Sequence, residues 1–131
     1  MRAIPVPHKT LLLRRVLIVE DDLDTREMLA RFLEIAGYQV VLAANGVEAL
    51  KVLRGGAVAS VILLDLMMPV MDGWQFRDEQ RRDPSMSHIP VVVVTAAGPR
   101  ERVPPIDADA WMPKPIDLDG LLETLEAFCP A

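Results

Sequence analysis

Val61-Ile62-Leu63-Leu64-Asp65 decides the fold, because four consecutive apolar residues run straight into a carboxylate. An apolar run without alternation is how a strand reads when both of its faces are covered, as in the centre of a parallel sheet. Three other runs end the same way. Val16-Leu17-Ile18-Val19 leads into Glu20-Asp21-Asp22, Val91 to Val94 leads into Thr95, and Trp111-Met112-Pro113 leads into Lys114. In open parallel sheets ligands bind outside the carboxyl ends of the strands, so residues scattered along the chain converge on one crevice. Carboxylates, a hydroxyl and an ammonium are thereby expected to share one small site.

Helical signals fill the intervals. Asp22 or Asp24 can cap a helix whose apolar positions Met28, Leu29, Phe32, Leu33 and Ile35 recur at helical spacing until Gly37 ends it. Tyr38 to Leu42 is β-rich, and Gly46 to Leu53 is a short amphipathic helix closed by Gly55-Gly56. Asp72 to Arg82 predicts a third helix carrying Trp74 and Phe76, broken by Asp83-Pro84. Ile89 to Val94 is the fourth strand, Ala110 to Met112 the fifth, and Ile116 to Phe128 the closing helix. Five βα units with right-handed crossovers predict an α/β fold with a doubly wound parallel sheet.

Size and composition fit one domain, since 131 residues with 51% apolar content suffice for a real core. Residues 15–131 are assigned to it and residues 1–14 to an N-terminal tail or strand extension. A net charge of -5 argues against nucleic acid as a direct partner, because phosphate-backbone binding needs a basic face. The single cysteine, Cys129, excludes an intrachain disulfide and fits a reducing, cytoplasmic setting. The apolar runs are strand-sized, so no membrane span is expected, and Leu11-Leu12-Leu13 is too short for a signal peptide.

The blocks Val-Leu-Ile-Val-Glu-Asp-Asp (16–22), Leu-Leu-Asp-Leu-Met-Met-Pro (63–69) with Asp72-Gly73, Val-Val-Thr-Ala (93–96) and Lys114-Pro115 resemble, in order, those of the receiver domain of two-component response regulators, chemotaxis regulators included. That resemblance implies a flavodoxin-like five-stranded sheet of order 2-1-3-4-5. It also implies that Asp65 is the phosphoacceptor, attacking a phosphoryl group brought by a histidine kinase or histidine phosphotransfer protein. Charge on the transferring oxygens must then be neutralised. Magnesium suits that task, because it prefers oxygen ligands and keeps several waters. By the same resemblance Glu20 and Asp21 are the metal-binding acidic pair, Asp21 directly and Glu20 through water, together with Asp65 and the backbone carbonyl of Met67. Lys114 would pair one phosphoryl oxygen and the Thr95 hydroxyl another. Trp111 occupies the switch-aromatic position, and Pro115 is expected to follow a cis peptide. Slow hydrolysis of the aspartyl phosphate is expected as well, since neither Met67 nor Ala97 can orient a water by hydrogen bonding. The chain would catalyse its own phosphorylation while acting chiefly as a signalling switch.

Simpler roles compete for several residues. Asp22 is by default a helix cap, Thr95 alone a β-branched strand residue, and Lys114 alone a surface charge. Met67, Met68, Met71 and Cys129 read as packing, His88 as a loop residue and His8 as part of the tail. Asp65 differs, because a carboxylate ending a central apolar strand is costly without charged partners. A haloacid-dehalogenase-like phosphatase would need a second aspartate where Met67 stands, and no glycine-rich nucleotide loop occurs. The serious alternatives are a receiver fold without phosphorylation chemistry, acting as an interaction module, and a receiver belonging to a hybrid kinase or larger regulator. No effector domain is read within these residues, so output is expected through contacts with a downstream protein. One departure from the family stands out. Pro104-Pro105 lies between Thr95 and Lys114 where receivers usually hold a full fourth helix, so residues 98 to 109 are expected to form a short or irregular segment.

Overall fold

In the computed structural model, residues 14–96 and 106–129 are described. The elements are β1 (Arg15–Val19), α1 (Leu23–Ile35), β2 (Gln39–Ala43), α2 (Gly46–Arg54), β3 (Val61–Asp65), α3 (Gly73–Arg82), β4 (Val91–Thr95), β5 (Ala110–Pro113) and α4 (Leu118–Phe128). The five strands form one parallel sheet of order β2-β1-β3-β4-β5. Such a sheet needs helical crossovers on both faces, and the alternation along each strand feeds both. Val16, Ile18, Leu63 and Val92 pack beneath α1 and α4 with Leu29, Leu33, Leu121 and Leu125. Leu17, Val19, Leu64 and Val93 pack beneath α2 and α3 with Ala49, Leu53 and Phe76. The unbroken apolar runs of β3 and β4 are therefore buried throughout.

Boundaries follow local chemistry. Asp22 takes the cap of α1, accepting from the Thr25 amide, while Asp24 sits within the first turn. Asp72 caps α3 in a reciprocal box with Gln75. Gly37, at φ +99, reverses the chain after α1. The next strand then starts at Gln39, because the Tyr38 ring turns inward to 4% exposure beneath the Arg14 guanidinium, 4.6 Å from the ring centroid. Arg14, assigned to the tail, already belongs to the domain, since its carbonyl accepts from the Gln39 amide at 3.0 Å.

Two expectations about packing are corrected. Met28 and Ile35 lie outside the buried stripe of α1, exposed to 45% and 82%, because the sheet meets the face carrying Leu29, Ala30 and Leu33. Met67 is 56% exposed, whereas Met68 is buried and Met71 packs against the core. The closing helix begins at Leu118 rather than Ile116. Most of the segment expected to be irregular, and Ala97 with it, lies outside the described residues; its last four, 106–109, are non-helical. No helix among the described residues is long and apolar enough to cross a membrane.

The turn after β3 carries two signs of crowding. A Cβ at Gly73 would lie 2.6 Å from Leu66 Cδ2 and 2.8 Å from its Cα, so only glycine fits there. Val70 adopts φ +71 with its side chain exposed to solvent. A β-branched residue is strained in that region by about 1–2 kcal/mol, whereas asparagine tolerates it. Val70→Asn is expected to stabilise the fold by about 1 kcal/mol, read as a higher urea midpoint at unchanged slope. A lower midpoint would show that the turn holds no releasable strain.

Candidate functional site

Four of the five strands each deliver one group to the same end of the sheet. Glu20 follows β1, Asp65 ends β3, Thr95 ends β4 and Lys114 follows β5. Parallel registry brings them level, since Asp65 pairs with Val94, one residue before Thr95, and Thr95 pairs with Pro113, one before Lys114. The Lys114 amide also donates to the Thr95 carbonyl at 3.1 Å, tying the two strand ends together. The Lys114–Pro115 peptide is cis.

Glu20, Asp65 and Thr95 are buried, and Asp21 is exposed. Glu20, Asp21 and Asp65 each offer a carboxylate oxygen, and these atoms lie within 4.8 Å of one another. Lys114 Nζ donates to Glu20 Oε1 at 2.6 Å and lies 3.4 Å from Asp65 Oδ2. The Met67 amide donates to Asp65 Oδ1 at 3.2 Å, while its side chain points to solvent. Burial pushes the Asp65 carboxyl up to about 7; the neighbouring Glu20 charge adds to this, and Lys114 opposes it. Burial also works against the Lys114 charge, but the hydrogen bond it donates to Glu20 and the two carboxylate charges outweigh it and raise its pKa.

Asp22 stands apart from this group. Its carboxylate is held below the ordinary range by the Thr25 hydroxyl and amide, as a helix cap should be. Trp111 is half-buried and packs with Ile106 and Ala108 against the core beneath α2 and α3. His88 is exposed in the loop before β4, and Cys129 is buried. The sequence analysis passed over Arg26, whose Nη1 donates to the Glu20 carbonyl at 2.8 Å and reaches the Asp21 carbonyl at 3.5 Å. Only its place one turn into the helix after an acidic loop could have signalled that.

The donor set suits a hard cation. Three carboxylates around one point and no sulfur or imidazole among them match magnesium or calcium better than zinc. Lys114 is shared by Glu20 and Asp65, so three carboxylates meet one ammonium, an excess of negative charge that a divalent cation would offset.

Comparison with known proteins agrees with this arrangement. Residues 16–126 match the family model of the response regulator receiver domain. The chain is 40% identical over 117 residues to the response regulator MprA of Mycobacterium sp. strain KMS, covering 87% of this chain and 50% of that protein. It thus spans about half the length of the curated relatives it matches. Among solved structures, the chemotaxis protein CheY4 of Vibrio cholerae superposes with a TM-score of 0.78 at 32% identity, over 87% of this chain and 97% of that one. The receiver domain of the sensor histidine kinase PA1611 from Pseudomonas aeruginosa, which holds a magnesium ion in its active-site cleft, gives 0.78 at 25% identity over 90% and 98%. With the sheet order, the blocks at the strand ends and a family match over most of its length all in agreement, the chain belongs to the response regulator receiver domain family.

Proposed function

We propose that this chain is a phosphorylation-switched receiver that accepts a phosphoryl group on Asp65 from a histidine kinase or histidine phosphotransfer protein in the cytoplasm, and signals to a downstream protein. The observation that carries this is the convergence of Asp65, Lys114 and the Glu20–Asp21 pair at one end of the sheet. Response regulators receive phosphoryl groups from histidine kinases, and the side chains assigned here to such a transfer, Asp65, Thr95, Lys114 and the Glu20–Asp21 pair, stand at the strand ends of this chain.

Glu20, Asp21 and Asp65, with the Met67 carbonyl, would hold a magnesium ion, whose charge would offset that of the phosphoryl oxygens. Asp65 must be ionised to react. One of its oxygens attacks phosphorus as the bond from phosphorus to the donor's imidazole nitrogen breaks, and the imidazole leaves with the electron pair and takes up a proton. The Met67 amide orients the carboxylate through Oδ1. Lys114, already 3.4 Å from Oδ2, pairs a phosphoryl oxygen, and the Thr95 hydroxyl donates to another. Trp111 is assigned to the switch that follows.

Mass spectrometry of the chain after incubation with a small phosphodonor and magnesium tests this. One added phosphoryl group is expected, and none on Asp65→Asn. Labelling that persists in the variant would sink the assignment, and no labelling of the parent would favour an interaction module without phosphorylation chemistry.

A further inference from the structure

The β1–α1 loop presents two carboxylates, those of Glu20 and Asp21, to one point beside Asp65. Glu20 is anchored on three sides. Its amide donates to the Ala43 carbonyl at 3.1 Å, its Oε2 accepts from the Asp22 amide at 3.1 Å, and its Oε1 is held by Lys114. Asp21, by contrast, is exposed and sits between Glu20 and the cap residue Asp22. What ties the backbone on either side of the Asp21 Cα is the half-buried Arg26, at 2.8 Å from the Glu20 carbonyl and 3.5 Å from the Asp21 carbonyl. Both contacts are made by one nitrogen, Nη1, whose two N–H bonds are fixed in the guanidinium plane, whereas an ammonium rotates its donors freely and sets the relative orientation of two acceptors poorly.

We infer that Arg26 is a positioning residue for the cation site, holding the Glu20 and Asp21 carbonyls so that both carboxylates project toward Asp65. This rests on the proposed magnesium site. Arg26 offers no ligand of its own, and its charge makes the inference testable by sign. If its charge were its main influence, a cation beside a cation site would repel magnesium, and removing it would tighten binding. If it acts by positioning, removing it loosens binding despite the lost repulsion. Groups that orient metal ligands from behind typically contribute about tenfold or more in affinity.

Calorimetric titration of the parent, Arg26→Met and Arg26→Lys with magnesium alone decides, with the melting temperature of each recorded. Arg26→Met is expected to bind about tenfold more weakly. Arg26→Lys, which keeps the charge but not the planar, fixed N–H directions, is expected to fall between the two at roughly threefold. Equal or tighter binding by a folded Arg26→Met overturns the inference. Should that variant not fold, the lysine variant decides alone, and undiminished affinity there overturns it equally. No binding heat from the parent would instead remove the proposed metal site, and this inference with it.

Discussion

An Asp65→Asn chain is expected to take up no phosphoryl group, yet above pH 7 to unfold at a higher temperature than its parent. The two effects have one cause. A carboxylate at the end of β3, 5% exposed and beside Glu20, is useful to chemistry and costly to the fold. The folded pKa of about 7 stands above the ordinary aspartate value of 3.8, so the folded chain binds more protons than the unfolded chain between those limits. Stability contributed by this group is therefore fully present below about pH 4, and it is lost as pH rises through the folded value near 7. Asparagine has nothing to ionise. Its advantage is near zero in acid, grows across that window and levels off above it. At about 1.4 kcal/mol per pH unit the gain at pH 8 is on the order of 2–4 kcal/mol, or roughly 5–15 °C in melting temperature. Lys114 remains partnered in the variant through Glu20 at 2.6 Å. Thermal scans of both chains from pH 4 to pH 8 without metal check this. A difference that does not change with pH would show that Asp65 is not held near neutrality. Magnesium added at pH 8 is expected to narrow the gap by stabilising the parent alone.

Gln80→Leu is expected to cost about 2–4 kcal/mol, although leucine has nearly the same volume and the site is wholly buried. The Gln80 amide nitrogen donates to the carbonyls of Met86 and Ile89, both at 3.0 Å, and its oxygen accepts from Arg77 Nη1 at 2.7 Å. One side chain thus closes the loop from α3 into β4 and braces Arg77. Arg77 in turn donates through Nε to the Asp107 carbonyl at 2.8 Å. Leucine leaves the Ile89 carbonyl and the half-buried guanidinium without these partners, and burial already works against the Arg77 charge. Gln80→Glu separates polarity from shape, because it restores an acceptor for Arg77 while losing the donor to the two carbonyls. It is expected to fall between parent and leucine variant in denaturant midpoint. A leucine variant as stable as the parent would show that the loop is held by Met86 and Ile89 packing alone.

The sheet was legible in the sequence for a simple physical reason. Strands covered on both faces need no periodicity to be recognised, so Val61–Leu64 and Val91–Val94 announce themselves by composition, and strand order follows from the family resemblance. The residues of the site were legible too, because a parallel sheet puts all carboxyl-terminal strand ends on one edge, whatever the sequence distance between them. Caps such as Asp22 and Asp72 depend on neighbours three residues away, and local spacing reveals them.

Only the tertiary structure decided how the acidic run divides its labour. Nothing local in Glu20-Asp21-Asp22 says that the first is buried, the second exposed at the site and the third spent on a helix cap. That division depends on where Lys114, 94 residues away, sends its ammonium, and on the Arg26 guanidinium turning back to the loop. Likewise Met28 and Ile35 share the helical spacing of Leu29 and Leu33, but the angle at which α1 meets the sheet left them outside. The pKa of Asp65 is a third case, set by burial and by two charges from other strand ends. Strand identity is written in the residues of the strand itself, whereas the direction of a charged side chain at its end is settled by partners that only the closed sheet brings within hydrogen-bond reach.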